Sequence, residues 1–394
     1  MKQDITSQAQ ELFPYTQSLR RDFHRHPELG FHEVRSAGIV ANELGKLGLE
    51  VHAGIAETGV VALMENAAPG PTVLLRFDMD ALPITEATGA EYASLTPGVM
   101  HACGHDGHMA IGLTVAHMLK ELSPELRGQI KFVFQPAEEV LGGADRMVKE
   151  GVLKDPKPDM ALALHVWNER PLGWVGLASG PVMAGADFFD VQITGKGGHG
   201  AIPQLSRDPV VAAAVIVLAL QSVVARNVSP FDSAVLSVTQ VVSGEAYNVI
   251  PEKAQLKGTI RAFERSVRDQ VMTRIEEVAT NTSRAMGCEA SIQYLPNTPA
   301  TVNDPEVTAA VVDVARKLYS SEAVDTTYQS MGSEDMAFIL NEVPGCFMLI
   351  GSANDAKGLN AGHHHPRFDF DEAVLPRAVA LMVSAVVELL KKTP

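Results

Sequence analysis

The strongest constraint on this chain is the alternation of helix-like and short apolar segments in its first third. Three segments carry apolar residues at helical spacing: 6–25, about 36–47 and about 108–122. Three shorter segments are rich in apolar residues, as buried strands are: 60–64, 72–77 and 129–134. Such an alternation is typical of an α/β domain whose sheet is largely buried.

The pattern changes after Pro181. Six segments then follow in the order β-α-β-β-α-β: 188–193, 208–225, 234–242, 254–263, 266–286 and 289–294. This order is that of the ferredoxin-like split βαβ unit. From Thr301 the α/β pattern returns and continues to a final helix near 372–391, which we expect to pack on the first domain. We therefore predict an α/β fold with a mostly parallel mixed sheet over 1–183 and 297–394, interrupted by an inserted α+β domain over 184–296.

The composition argues against several classes of protein. Hydrophobic residues make up 46% and charged residues 20%, which indicates a folded chain. The formal charge of −15 disfavours binding to nucleic acid. The longest apolar run, 210–220, falls short of the ~18 residues that span a bilayer. Three cysteines do not make a disulfide framework, and the polar N-terminal segment lacks the apolar core of a secretory signal, so we expect a cytoplasmic protein.

Residue types that bind metals recur at predicted loops and strand ends. Cys103 and His105 stand two residues apart before a helix, and Glu138 and Glu139 follow a strand. One carboxylate of such a pair can bind a metal while the other acts as general base. Three further segments carry the same residue types: Asp78 and Asp80 after a strand, His165 at a strand end, and the run 363–365 before Pro366. Asp78 and Asp80 can bind a metal or orient an imidazole.

Each of these features also has an ordinary interpretation. The histidines can be solvated loop residues, the glutamates an acidic turn, and His165 a satisfied core residue. Together, however, the segments offer thiolate, imidazole and carboxylate groups, which is the ligand mixture of a transition-metal hydrolase.

Seven motifs in this order resemble those of the peptidase M20 superfamily. The similarity is to its amidohydrolase branch, with hippurate hydrolases, aminoacylases, carboxypeptidases and plant indole-acetyl-amino-acid hydrolases. The motifs are 24–31 (HRHPELGF), 77–83 (FDMDALP), the loop around Cys103, 135–139 (QPAEE), 164–167 (LHVW), 195–201 (GKGGHGA) and 248–251 (NVIP).

The resemblance implies a site for two divalent metal ions, which could be Zn, Mn, Co or Ni. Its implied ligands are Cys103, His105, Glu139, His165 and His364. Glu138 corresponds to the general base that acts on a metal-bound water. The sequence departs from the family pattern at His365, where the family usually has Ser or Asn. It also has Asp78-Met79-Asp80 where other branches have His-x-Asp, and Cys103 with His105 compensates for that histidine.

The resemblance also implies that the inserted domain is a lid that mediates a homodimer or a higher oligomer. His199 corresponds to a lid histidine that stabilises the oxyanion, in some members across a dimer interface. Asn248 and Arg261 are similar to residues that hold the substrate carboxylate. From the residues alone, His199 could equally be a solvated loop histidine and Arg261 a surface ion-pair residue.

The resulting hypothesis is metal-dependent hydrolysis of the amide bond in N-acyl amino acids or short peptides with a free C-terminal carboxylate. Two alternatives remain open. The first is a thiol hydrolase with Cys103 as nucleophile and His105 or His108 as base. The second is a non-catalytic binding protein on the same scaffold, against which the intact Glu138-Glu139 pair argues.

Overall fold

The computed structural model describes residues 4–140 and 142–391, without the side chains of 296 and 297. The chain divides into two compact units. Unit 1 comprises Met1–Val182, Thr301–Gln329 and Asp335–Pro394, and unit 2 comprises Met183–Ala300 and Ser330–Glu334.

The elements follow one another closely along the chain. The strands are β1 Glu50–Ile55, β2 Gly59–Glu65, β3 Ala68–Asp78, β4 Arg127–Gln135, β5 Met160–Pro171, β6 Val175–Gly176, β7 Gly180–Met183, β8 Gly185–Thr194, β9 Gly198–His199, β10 Ala234–Ser243, β11 Val249–Ile250, β12 Lys253–Ala262, β13 Glu289–Thr298, β14 Thr301–Asn303, β15 Val324–Asp325 and β16 Gly345–Ala353. The α-helices are α1 Ile5–Glu11, α2 Phe13–Arg25, α3 Val34–Lys46, α4 His105–Leu122, α5 Gly143–Lys149, α6 Pro209–Asn227, α7 Arg265–Ala285, α8 Pro305–Leu318, α9 Ala337–Leu340 and α10 Val374–Leu389.

Unit 1 is built on a mixed sheet of eight strands in the order β1-β2-β4-β3-β5-β16-β6-β15. Its central strands β4, β3, β5 and β16 run parallel, as the apolar segments predicted, whereas β2 is antiparallel to both of its neighbours, β1 and β4. In the register Asp78 at the end of β3 lies opposite Gln135 at the end of β4. Residues that follow these two strands therefore emerge at the same carboxyl edge, where open α/β sheets bind ligands.

Helices cover this sheet and complete the core. All but four of the eighteen residues of α4 are buried, and α10 packs against α4 and α1. The single helix predicted over 6–25 is wrong, because the structure has two helices that meet at Leu12. Pro14 at the start of α2 lacks the N–H that a continuous helix would need there. The strand β1 was not predicted, since its side chains are exposed or half-buried and leave no apolar run.

Unit 2 contains an antiparallel sheet in the order β10-β12-β8-β13 and the helices α6 and α7. Along the chain these elements run β-α-β-β-α-β. One core joins them, in which Ile216 of α6 and Ile275 of α7 pack with Val191 of β8 and Leu256 of β12.

Helix α6 is longer than the apolar run of the sequence suggested. The helix has 19 residues and contains an 18-residue window with a mean hydropathy of 2.0, so by length and composition alone it could cross a membrane. Within unit 2 one face, including Ala212, Ile216 and Leu220, packs into the core described above. A helix that packs on a sheet meets the same criterion, so this feature does not by itself indicate a membrane span.

Candidate metal centre

The loop before α4 places two of the predicted ligands side by side. Gly104 has φ of +94°, and a Cβ there would lie 2.4 Å from Cγ2 of Val166, so only glycine fits between Cys103 and His105. His105 is fully buried, and its Nδ1 donates to the backbone oxygen of Asp80 at 2.9 Å. The other ring nitrogen, Nε2, is therefore unprotonated in the neutral ring and can act as a ligand.

Two buried carboxylates hold the turn that presents the glutamate pair. The backbone N–H groups of Glu138 and Glu139 donate to Oδ1 and Oδ2 of Asp80 at 3.0 and 2.9 Å. The N–H of Ala137, whose φ is +55°, donates to Oε1 of Glu33 at 2.8 Å. Asp80 thus has both oxygens occupied, which suits the predicted positioning role better than direct binding of a metal.

The remaining candidate ligands come from strand β5 and from the histidine run. Nδ1 of His165 donates to the oxygen of Val166 at 2.6 Å, which leaves its Nε2 facing Sγ of Cys103 at 3.5 Å. Nε2 of His364 lies 3.3 Å from Oε1 of Glu139.

The structure brings the five predicted ligands together in two overlapping groups. Within each group the ligand atoms lie within 4.8 Å of one another: Cys103, His105 and His165 form one, and Cys103, Glu139 and His364 form the other. Glu138 joins a third such group with His105 and Glu139. Thiolate, imidazole and carboxylate donors in this arrangement suit borderline transition metals.

Two atoms of these groups indicate that the donors fit a cation. Among the described residues, Nε2 of His105 is buried without a hydrogen bond, and it lies 4.0 Å from the buried Oε1 of Glu139, which also faces Nε2 of His364 at 3.3 Å. A buried polar atom without a partner costs about 1–3 kcal/mol, which a bound cation would offset.

The electrostatics of the site also favour a cation. Burial opposes protonation of His105, but Asp78, Asp80 and Glu139 outweigh it and raise its pKa to about 10. Burial, followed by the charges of Glu139 and Glu138, raises the pKa of the Cys103 thiol well above its usual value. The carboxylates therefore create a strongly negative potential, which a bound divalent ion would neutralise.

The three consecutive histidines have three different environments. The side chain of His364 is 53% exposed and faces Glu139. His363 accepts the N–H of Asn168 at its Nε2, 3.1 Å away. His365 is exposed, and its Nδ1 accepts the N–H of Arg367 at 3.0 Å. Of the three, His364 alone belongs to a cluster of candidate ligands among the described residues.

The sequence left open whether Asp78 binds a metal or orients an imidazole, and it did not identify His108 as the partner of Asp78. Oδ1 of Asp78 lies 2.6 Å from Nδ1 of His108, whose Nε2 accepts the N–H of Val166 at 3.0 Å. Both nitrogens of His108 are thus occupied, and its ring connects Asp78 to strand β5 at the residue next to His165. Burial would raise the pKa of Asp78, but His105, His108 and Arg76 together lower it well below its usual range. The carboxylates of the FDMD motif were the available signal.

A second buried network beside the site was also missed. The fully buried guanidinium of Arg20 donates to Asp106, Asp369 and Glu372 at 2.8, 2.7 and 3.2 Å. Asp106 follows His105, and Asp369 lies shortly after the histidine run. One cation on α2 therefore anchors two of the segments that carry candidate ligands.

Unit 2 carries the three remaining predicted residues. His199 is exposed on β9, which pairs with β11, so that His199 faces Val249 next to Asn248. Arg261 lies on β12 in the four-stranded sheet, where it donates to Thr259 and to the oxygen of Ile260. The structure thus brings His199 and Asn248 together, whereas Arg261 lies on a different sheet.

Comparisons with known proteins agree with this picture. The model of peptidase family M20/M25/M40 matches residues 74–388. The IAA-amino acid hydrolase ILR1-like 2 of Arabidopsis thaliana is 39% identical over 390 residues, which are 98% of this chain and 88% of that protein. N-acetyl-L-cysteine deacetylase of Bacillus subtilis is 37% identical over 372 residues, 94% of this chain and 87% of that protein.

A solved structure extends the similarity to the fold. The Bacillus subtilis YXEP protein, described as a dinuclear metal binding peptidase from the M20 family, matches with a TM-score of 0.85 and 33% identity. The match covers 97% of this chain and 99% of that one.

Proposed function

The chain belongs to peptidase family M20/M25/M40 and is a hydrolase of amide or peptide bonds, and on that premise we propose that it releases amino acids from N-acylated amino acids or short peptides with a free C-terminal carboxylate. Its relatives named for the hydrolysis of IAA-amino acids and of N-acetylcysteine support an acyl amino acid as substrate.

The observation that carries the proposal is the cluster of donors around Cys103. Cys103, His105, Glu139, His165 and His364 would hold two divalent ions. When bound, such ions polarise an amide carbonyl and lower the pKa of water toward ~7.

Glu138 is the proposed general base. Its side chain is 7% exposed and belongs to the same donor group as His105 and Glu139. Asp80 fixes the backbone of both glutamates, so that Glu139 is directed to the metal while Glu138 can remove a proton from the attacking water and deliver it to the leaving nitrogen.

Unit 2 supplies the proposed lid, and this assignment rests on the resemblance in its GKGGHGA and NVIP motifs. His199 is the proposed donor to the oxyanion, and Asn248 and Arg261 are the proposed contacts of the substrate carboxylate. His199 on β9 and Asn248 immediately before β11 are both exposed, which allows them to meet a substrate.

We test the activity with a panel of N-acetyl amino acids, N-benzoyl amino acids and dipeptides after chelation and re-addition of single metals. Activity lost on chelation and restored by Zn, Mn, Co or Ni supports the proposal, and full activity of the metal-free enzyme contradicts it.

The thiol-hydrolase alternative has His105 or His108 as base, whereas the imidazole that contacts Cys103 is that of His165, and both ring nitrogens of His108 are occupied. It predicts that the metal-free enzyme keeps its activity until the thiol is alkylated. The metallohydrolase predicts instead that bound metal protects Cys103 from alkylation and that chelation exposes it. Cys288 and Cys346, both buried outside the donor groups, are the internal controls in peptide mapping.

A homodimer through unit 2 is part of the proposal. Strand β10 forms one edge of its sheet and exposes Val241 and Val242, and Leu218 of α6 is 73% exposed. An edge strand next to exposed apolar side chains favours pairing with a second copy. Light scattering tests the proposed dimer by comparing the wild type with the double variant Leu218→Glu/Val241→Lys. We expect the wild type to be a dimer and the double variant to be a monomer.

A further inference from the structure

We infer that His363 donates a hydrogen bond to the sulfur of Cys103 and thereby stabilises this residue as a thiolate ligand. The inference rests on the proposed metal centre and gives the first histidine of the run a task different from that of His364.

The hydrogen-bond partners of His363 determine which of its nitrogens carries the proton. Its Nε2 accepts the backbone N–H of Asn168 at 3.1 Å, and a nitrogen that accepts cannot also be protonated. The proton of the neutral ring therefore lies on Nδ1. That nitrogen is 3.8 Å from Sγ of Cys103, a distance that the large sulfur atom allows for an N–H···S bond, and the ring also has a hydrogen-bond contact with the backbone of Cys103.

Three hydrogen bonds of its side chain hold Asn168 in place, and they thereby fix the position of the backbone N–H that His363 accepts. Its side-chain Nδ2 donates to the oxygens of Ala361 and Asp369 at 2.8 and 3.0 Å, one on each side of the histidine run. Its Oδ1 accepts from Ser352 at 3.1 Å. Asn168 thus ties the end of β5 to the loop that carries His363.

Aromatic contacts further restrict the imidazole. The ring centroids of Trp167 and Phe368 both lie 5.0 Å from that of His363, each at an interplanar angle of 36°. This packing fixes the plane of the ring, and a 180° turn within that plane would break the hydrogen bond from Asn168 to Nε2 and move Nδ1 away from the sulfur.

On the other side of the sulfur, His165 offers an acceptor. Its Nδ1 donates to Val166, so its Nε2 carries the lone pair that faces Sγ at 3.5 Å. Without a cation, the thiol has two acceptors within reach, Nε2 of His165 and the carboxylate of Glu139. When Cys103 and His165 bind a cation, the thiol proton leaves, whereas the N–H of His363 remains on the sulfur and offsets its negative charge.

His363 itself does not qualify as a ligand. Its Nε2 is occupied by Asn168, and none of the donor clusters among the residues that the structure describes includes it.

Three substitutions of His363 separate the hydrogen bond from the volume of the ring. His363→Asn keeps an amide N–H near the position of Nδ1, His363→Gln moves the amide toward the position of Nε2, and His363→Leu removes both. His365→Leu is the matched control, because His365 is exposed and bonds only the N–H of Arg367 among the contacts described.

The probe is Co²⁺ added to the metal-free enzyme, followed through the sulfur-to-cobalt charge-transfer band. We expect His363→Leu and His363→Gln to weaken Co²⁺ binding by about 10–100-fold, as is typical when a partner of a metal ligand is lost. The band should also move to longer wavelength, because a thiolate without its hydrogen bond is a stronger electron donor. His363→Asn should stay near the wild type, and His365→Leu should match it.

The outcomes distinguish this inference from the proposed function. A wild-type enzyme without the charge-transfer band contradicts the proposed metal centre as a whole. A normal wild-type band with the same position and affinity in His363→Leu overturns the inference alone. If His363→Asn loses affinity as His363→Gln does, while circular dichroism shows both folded, the donor at Nδ1 is irrelevant and the inference is also wrong.

Discussion

The guanidinium of Arg20 and the carboxylate of Asp106 form an ion pair of 2.8 Å in which both side chains are fully buried. Asp106 lies in the first turn of α4 immediately after His105, where a negative charge also suits the positive end of the helix dipole. The same guanidinium binds Asp369, so one residue of α2 joins the start of α4 to the segment after the histidine run.

The first prediction is that Arg20→Met destabilises the fold and weakens metal binding. Removing one member of a buried ion pair leaves the other charge uncompensated, at a cost of about 3–5 kcal/mol. Urea denaturation of the metal-free protein measures this loss. Lys46→Met is the control, because its pair with Glu43 is exposed and worth at most about 1 kcal/mol. Equal stabilities of the two variants would contradict the role assigned to Arg20.

The second prediction concerns the general base. Glu138→Gln should keep the fold and both metals but lower kcat by roughly 10²–10⁴-fold, since the amide cannot accept the proton of water. Elemental analysis and kcat of the same preparation decide the point. Glu65→Gln, an exposed substitution of the same kind on β2, should leave both unchanged. Normal turnover with full metal content would exclude Glu138 from the mechanism.

The third prediction is a pH dependence of stability from His24. Burial opposes its protonation, but its contacts with Asp106 at 2.8 Å and Glu86 at 3.3 Å outweigh this and raise its pKa to about 9. The folded state therefore keeps a proton that the unfolded chain loses near pH ~6.5. Its contribution is complete below pH ~6.5 and disappears as the pH rises through about 9.

Urea denaturation at several pH values measures this contribution. The difference in free energy of unfolding between the wild type and His24→Gln should shrink by about 3 kcal/mol from pH ~6 to pH ~10. His52→Gln, whose side chain is 62% exposed, is the surface control. A difference that stays constant over this range would show that His24 is not protonated in the fold.

The fourth prediction concerns His199. Since this residue is exposed on a short strand, His199→Ala should change stability and metal content very little. If it binds the oxyanion, kcat should fall by about 10²–10³-fold while KM changes less. Recovery of activity on mixing His199→Ala with Glu138→Gln subunits would show that it acts across a dimer, and an unchanged kcat would mean that it takes no part.

Much of the fold could be predicted from the sequence because the signals are local. The apolar run of 72–77 predicts a buried strand, and the apolar spacing of 266–286 predicts a helix, which the structure has over Arg265–Ala285. Strand β1 and the break at Leu12 could not be predicted, since exposed strands and helix boundaries leave weak patterns in a single sequence.

The sequence by itself determined which chemical groups the chain can offer and that most of them lie in loops or at strand ends, because residue types and local periodicity are written in the chain. The prediction that His165 ends a strand is wrong, because β5 continues to Pro171. Only the tertiary structure decided how those groups are used. The three consecutive histidines 363–365 have different partners, which are Asn168, Glu139 and Arg367 in that order. The carboxylate of Asp80 accepts the backbone N–H groups of Glu138 and Glu139, which lie 58 and 59 positions further along the chain. Hydrogen-bond partners and burial set the free nitrogen of each imidazole, and both depend on contacts between segments that are distant in the chain.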